Sequence, residues 1–139
     1  MNLSQIEQIY YHSLIIKKIQ NYWKENPQKS IFIPNLNGDL KAFIATAIWK
    51  NLTEPLNQIF ILHSEEDAKY LFNTFENLLS ERSVFYFPAE FKNIKKKEFK
   101  EKTHLQFRHH LLQHLHSNSS KIIITYTESW LEKIELWAD

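Results

Sequence analysis

Apolar residues along this chain form two kinds of pattern, short unbroken runs and stripes at helical spacing. Residues from about 4 to about 25 read as one helix, with Ile6, Ile9, Ile16 and Trp23 as its buried positions. Pro27 ends it, because a proline breaks the helical hydrogen-bond ladder. Ile31-Phe32-Ile33, closed by Pro34, reads as a first buried strand. From Asp39 the spacing turns helical, and Leu40, Phe43, Ile44, Ala47 and Ile48 fall on one face. Ile59-Phe60-Ile61-Leu62 is a second run. Ser64 follows as an N-cap with Asp67 three residues on, the start of a capping box. Ala68, Leu71, Phe72, Phe75, Leu78 and Leu79 continue as a helical stripe. Val84-Phe85-Tyr86-Phe87, stopped by Pro88, is a third strand. A basic, polar stretch over 92–102 leads to a helix marked by Phe107, Leu111 and Leu115. A fourth strand over 121–125 and a closing helix over 129–136 complete the pattern.

Unbroken apolar strands separated by amphipathic helices predict an α/β fold, a parallel sheet with helices on both faces. The length of 139 residues suits a single domain spanning 1–139. With 43% hydrophobic residues the chain has enough core material to fold, which makes disorder a poor reading. The formal net charge of +1 provides no long-range attraction to nucleic acid or an anionic membrane. The absence of cysteine excludes disulfides and thiolate zinc sites and fits a reducing cytoplasm. No apolar run reaches the length of a membrane span, and the first residues lack the layout of a signal peptide. A cytoplasmic protein without a membrane partner is expected.

Ligands of parallel sheets sit at the carboxyl ends of strands, so the first strand-to-helix turn is the place to look for chemistry. It reads Pro34-Asn35-Leu36-Asn37-Gly38-Asp39-Leu40-Lys41-Ala42 and contains the only glycine of the chain. A working phosphate loop reads G-x-x-x-x-G-K-[ST]. Here Asn35 stands at the first glycine, Leu40 at the second, Lys41 at the lysine and Ala42 at the hydroxyl residue. Leu40 adds bulk where main-chain N–H groups must wrap phosphate oxygens, and Asp39 adds a repelling charge. Ala42 has no oxygen for magnesium. Asn35, Gly38, Lys41 and Ala42 therefore read as a vestigial phosphate loop, and a plain turn with a surface lysine fits the same residues. No catalytic residue, bound cofactor or metal is expected.

Other clusters have a chemical and an inert reading. His110 and His114, four apart, can share a helix face and bind a transition metal, but a full site needs further ligands, and an exposed helix without metal is the simpler reading. Lys95, Lys96 and Lys97 lie in a basic patch that can touch a phosphate backbone. Glu90, Glu98 and Glu101 partly cancel it and aromatic stacking residues are sparse there, which favours a solvated face. Tyr10, Tyr11, Tyr22 and Trp23 on the first helix suit a partner surface or packing onto the sheet equally well. No serine–histidine–acid or cysteine–histidine arrangement is evident.

The order of motifs over 33–132 resembles the N-terminal, UvrB-like domain of bacterial transcription-repair coupling factor (Mfd), most of all its Bacteroidetes-type members. That family has a decayed phosphate loop G-L-x-G-S-x-K-A, matched here by Asn35-Leu36-Asn37-Gly38-Asp39-Leu40-Lys41-Ala42. A strand, an acidic helix start and a strand ending in F-F-P follow, resembled by 59–62, Ser64-Glu65-Glu66-Asp67-Ala68 and Phe85-Tyr86-Phe87-Pro88-Ala89. An R-x-x-x-L-x-x-L pattern before an I-V-T-Y strand is resembled by Arg108, Leu112, Leu115 and the run from Ile122 to Tyr126. Asn35 and Asp39 depart from the family at a glycine and a small residue.

The resemblance implies a degenerate P-loop NTPase, helicase-like domain that is a fragment of a larger chain. It implies a non-enzymatic scaffold involved in recruiting UvrA and in holding the resting protein closed. The rest of the full-length chain, an ATP-dependent DNA translocase that displaces stalled RNA polymerase, would be its partner, and RNA polymerase and DNA would be met through other domains. The alternatives are a small nucleotide-binding enzyme with an unusual phosphate loop and a basic nucleic-acid-binding domain.

Overall fold

The computed structural model describes residues 2, 5, 6, 9, 13–51, 53–79, 83–90 and 97–132, without the side chains of 97–101. Contacts gather into two compact units, Met1–Glu54 and Pro55–Asp139, where the sequence suggested one domain.

In the first unit Asn2 and Gln5 cap each other, each main-chain N–H donating to the other's side-chain oxygen at 3.0 Å. The single helix expected over 4–25 is interrupted at Ser13, which is extended at φ −64° and ψ 135°. Its hydroxyl accepts from the Ile15 N–H and starts helix α1, Leu14–Glu25. A serine oxygen satisfies an orphan helical donor at such a break, so neither glycine nor proline is needed there. Of the positions expected to be buried, Ile16 is buried, Ile6 half-buried, and Ile9 and Trp23 exposed.

Helix α2, Leu40–Lys50, packs on α1 through a cluster of Ile16, Ile19, Ala47 and Ile48. The strand expected at Ile31-Phe32-Ile33 does not form. Phe32 is 89% exposed, while Ile31 and Ile33 pack against that helical cluster. Contact with the helical cluster partly buries Ile31 and Ile33, where strand pairing was expected to bury the whole run. Burial in α2 also extends beyond the expected stripe to Ala42, Ala45 and Thr46. The Thr46 hydroxyl is buried and makes no hydrogen bond. Desolvating a hydroxyl without a partner costs about 1–3 kcal/mol, and valine has the same shape. Thr46→Val should therefore raise stability by about 1 kcal/mol in urea unfolding. A loss of that size would mean that the hydroxyl is satisfied.

The second unit is α/β. Strands β1 (Gln58–Leu62), β2 (Val84–Tyr86) and β3 (Ile122–Tyr126) form a three-stranded, all-parallel sheet in the order β1-β3-β2. Helix α3 (Glu65–Leu78) joins β1 to β2, and α4 (Lys97–His114) precedes β3. The expected Ser64 cap is present, its hydroxyl accepting from the Asp67 N–H at 3.1 Å. Acidic residues fill the first turn of α3, which suits the positive end of the helix dipole. Ala68, Leu71, Phe72 and Phe75 are buried as the stripe predicts, and Leu78 and Leu79 are half-buried.

Side chains alternate between the two faces of the sheet. On one face Phe60 meets Phe75 and Tyr86 meets Phe72, with ring centroids 5.2 and 5.5 Å apart. On the other, Phe85, Phe87 and Ile123 cluster with Leu111 of α4. Strand β3 is buried throughout, as a central parallel strand should be. Strand β1 departs from that expectation, because Ile59 and Ile61 are 50% and 48% exposed. Lys121 is buried, and its ammonium donates to the carbonyls of Ser117 and Ser119, which fixes the entry into β3. The closing helix is α5, Thr127–Trp130; Leu131 and Glu132 do not continue the helix expected over 129–136, and 133–136 lie outside the described residues.

Candidate functional site

The loop ahead of α2 has no strand before it, so the strand–loop–helix setting of a phosphate site is missing. Asn35 and Gly38 both have left-handed backbone, at φ 62° and 54°. Asparagine is one of the few residues that tolerates this region, so Asn35 keeps a glycine-like turn at the position where the phosphate-loop pattern has glycine. A Cβ on Gly38 would meet nothing within 4 Å, so the need for glycine there is one of backbone angle and not of space. Lys41 is exposed in the first turn of α2, and Ala42 is fully buried. An oxygen at position 42 would face the core and could not reach a solvated magnesium ion. Asp39 precedes α2 without a side-chain capping bond.

Lys95 and Lys96 lie outside the described residues, as do Tyr10 and Tyr11. Lys97 opens α4, and its side chain is not among those described. Tyr22 and Trp23 are exposed on α1. His110 and His114 are exposed on α4, and among the described residues no group of three or more histidine or acidic side chains could hold a metal ion.

Among the described residues, a dense polar arrangement lies at the carboxyl end of the sheet, around the main chain of residues 87–90. Thr125 and Ser129 hydroxyls both donate to the Phe87 carbonyl, at 2.8 and 3.0 Å. Arg108 donates to the Pro88 carbonyl at 2.8 Å, and its guanidinium lies 4.4 Å from the centroid of the Phe87 ring. His104 Nδ1 donates to the Ala89 carbonyl at 2.8 Å, because a carbonyl can only accept. The Tyr126 hydroxyl accepts from the Ala89 N–H at 2.9 Å, and the Glu132 carboxylate accepts from the Glu90 N–H. Carboxylates also face these side chains. Arg108 meets Glu132 at 3.1 Å and Glu90 at 3.6 Å, and His104 faces Glu65 at 3.4 Å.

These bonds serve the irregular segment that leaves β2. The Phe87 N–H still donates to the Ile124 carbonyl of β3 at 2.8 Å, but the other buried main-chain groups here need another source of hydrogen bonds, and side chains from α4, β3 and the residues after it provide them. Pro88 contributes no donor, which removes one demand at the tightest point. Pattern reading singled out Arg108, Pro88 and Tyr126 without placing them together. Thr125, Ser129, Glu132 and His104 were missed as members of the group.

Two tyrosines lie at the margin of the clamp. Burial pushes the Tyr126 hydroxyl above its ordinary range, against the opposing effect of the bond from Ala89. Tyr86 is raised much further, first by burial and then by Tyr126 and Glu65. Its hydroxyl lies beside that of Tyr126 without an aligned hydrogen bond. An unfolded tyrosine loses its proton near pH 10, where folded Tyr86 retains it. The unfolded state then binds fewer protons, so this contribution to stability is intact below about pH 10 and declines as pH rises above it. Tyr86→Phe should flatten that alkaline decline in pH-dependent denaturation. At neutral pH it should cost nothing, whereas Tyr126→Phe should cost about 1 kcal/mol by orphaning the Ala89 N–H. Equal losses from the two substitutions would contradict this assignment.

Comparison with family models, with curated proteins and with solved structures finds no match to the chain.

Proposed function

We propose that the chain is a non-catalytic scaffold module of a transcription-repair coupling factor, related in plan to the first domain of UvrB. In this reading it takes part in recruiting UvrA and in keeping the resting protein closed, and the ATP-driven motor and the RNA polymerase contact belong to other domains. One observation carries the proposal. The separated stretches that resemble the family after its loop meet at the clamp around 87–90, through Glu65, Phe87-Pro88-Ala89, Arg108 and Tyr126. Their polar groups are engaged with main chain and with one another at the end of the sheet where α/β enzymes place their chemistry. A burial-driven rise in both tyrosines fits a structural corner and provides no base poised near neutrality. Exposed Lys41 beside buried Ala42 also supports the loss of nucleotide chemistry.

Calorimetric titration of the folded chain with magnesium ATP at low salt is the test of inertness, and no saturable heat is expected. Saturable binding that disappears in Lys41→Ala would replace the scaffold by a nucleotide-binding enzyme. The family assignment is tested separately by the reading frame beyond Asp139. It should continue into a helicase-type motor with an intact G-x-x-x-x-G-K-[ST] loop, and a stop codon there would remove the assignment.

A further inference from the structure

The last turns of α4 carry two imidazoles in an arrangement that the clamp and the loop do not use. His110 and His114 are exposed, four residues apart, with ring centroids 4.8 Å apart and planes at 69°. Both rings rest on Phe85, at centroid distances of 5.0 and 5.4 Å, and Phe85 is itself anchored in the core with Phe87, Leu111 and Ile123. The pair is therefore seated on a rigid aromatic floor. His114 Nδ1 donates to the His110 carbonyl at 2.8 Å. That bond fixes the tautomer, so in the neutral ring Nε2 carries the lone pair, which is how protein second-shell contacts orient metal-binding histidines.

The ring spacing is compatible with two imidazoles on one ion. A metal–nitrogen bond is about 2.0 Å, and the nitrogen is roughly 1.1 Å from its ring centre. Two rings meeting at an angle between square and tetrahedral then have centres roughly 4.4–5.2 Å apart. The observed 4.8 Å falls inside that window. We propose that His110 and His114 form a two-imidazole binding site for a divalent transition-metal ion. Imidazole nitrogens suit borderline ions, and the order of affinities among them places copper(II) highest. No third histidine or acidic side chain joins the pair among the described residues, so water completes the coordination. The site is solvent-facing and exchangeable. Protons compete for the same lone pairs, so binding weakens on acidification.

The test titrates the 139-residue chain with copper(II) chloride near neutral pH in a weakly coordinating buffer. Electron paramagnetic resonance reads nitrogen coupling and calorimetry reads affinity. One ion bound through two imidazole nitrogens is expected. His110→Ala and His114→Ala should each weaken binding by on the order of tenfold or more, the scale at which metal sites respond to loss of supporting contacts alone. His110→Phe and His114→Phe keep a ring over Phe85 while removing the ligand, and should lose affinity equally with the fold unchanged by circular dichroism. His109→Ala and His116→Ala should bind as the parent does. Unchanged affinity in the His110 and His114 variants, or an equal loss in His109→Ala, would overturn the site.

Discussion

Arg108→Met should lower the stability of the second unit by about 3 kcal/mol, at the lower end of what breaking a buried ion pair costs. Methionine keeps the apolar stem but ends short of the guanidinium nitrogens, so the loss is mainly that of the charged head and not of stem packing. In the native chain the guanidinium serves three partners at once. It donates to the Pro88 carbonyl, pairs with Glu132 and stacks over Phe87. Both ends of the Glu132 pair are mostly buried, at 8% and 12% side-chain exposure, so removing the cation leaves a carboxylate without its counter-charge. The contact to Glu90 adds little, since that carboxylate is largely exposed and screened. Arg108→Lys should recover only a minor part, because a compact ammonium cannot fork between two acceptors and stack on a ring. Urea unfolding reads the effect as a shift in midpoint at constant slope. A loss of only a few tenths of a kcal/mol would mean that the clamp is incidental to the fold.

Phe85→Ala should be at least as damaging, at about 3–5 kcal/mol, the range for emptying a buried aromatic site. Phe85 is almost fully buried on β2 and holds Phe87, Leu111 and Ile123 together. Collapse around the cavity is restricted, because Ile123 stands on hydrogen-bonded strand, Phe87 is tied to β3 by its main-chain N–H and Leu111 stands on α4. His110 and His114 also lose the floor on which they rest. Phe85→Leu refills much of the volume and should recover most of the loss. Equal destabilisation by alanine and leucine would point to ring-specific contacts in place of packing. Preserved stability in Phe85→Ala would mean that α4 does not depend on this face.

What the sequence made legible here was local and periodic. Ser64 with the stripe behind it announced α3, since a capping oxygen and a repeat of 3.6 residues leave one reading. The apolar runs of β2 and β3 likewise declared a buried parallel sheet. Ile31-Phe32-Ile33 misled because three apolar residues in a row fit a strand or a segment packed on helices, and periodicity cannot distinguish them. The break at Ser13 was hidden because serine is tolerated within helices as well as at their starts. The clamp was illegible for a different reason. Its members come from separate elements and mostly bond to main-chain atoms, which every residue has, so no spacing in the sequence marks their targets.

The clamp also bears on the order in which the fold is assembled. Its bonds link residues 15 to 42 positions apart, and those from Arg108, Thr125, Tyr126 and Ser129 need α4 or β3 already docked. The segment 87–90 can therefore be locked only after the central strand has paired, late on the route to the native state. Interactions absent from the transition state leave the folding rate nearly untouched and accelerate unfolding when removed. Substitutions at this corner should thus shorten the lifetime of the folded molecule without slowing its formation, and the corner acts as a latch on a structure that has already assembled.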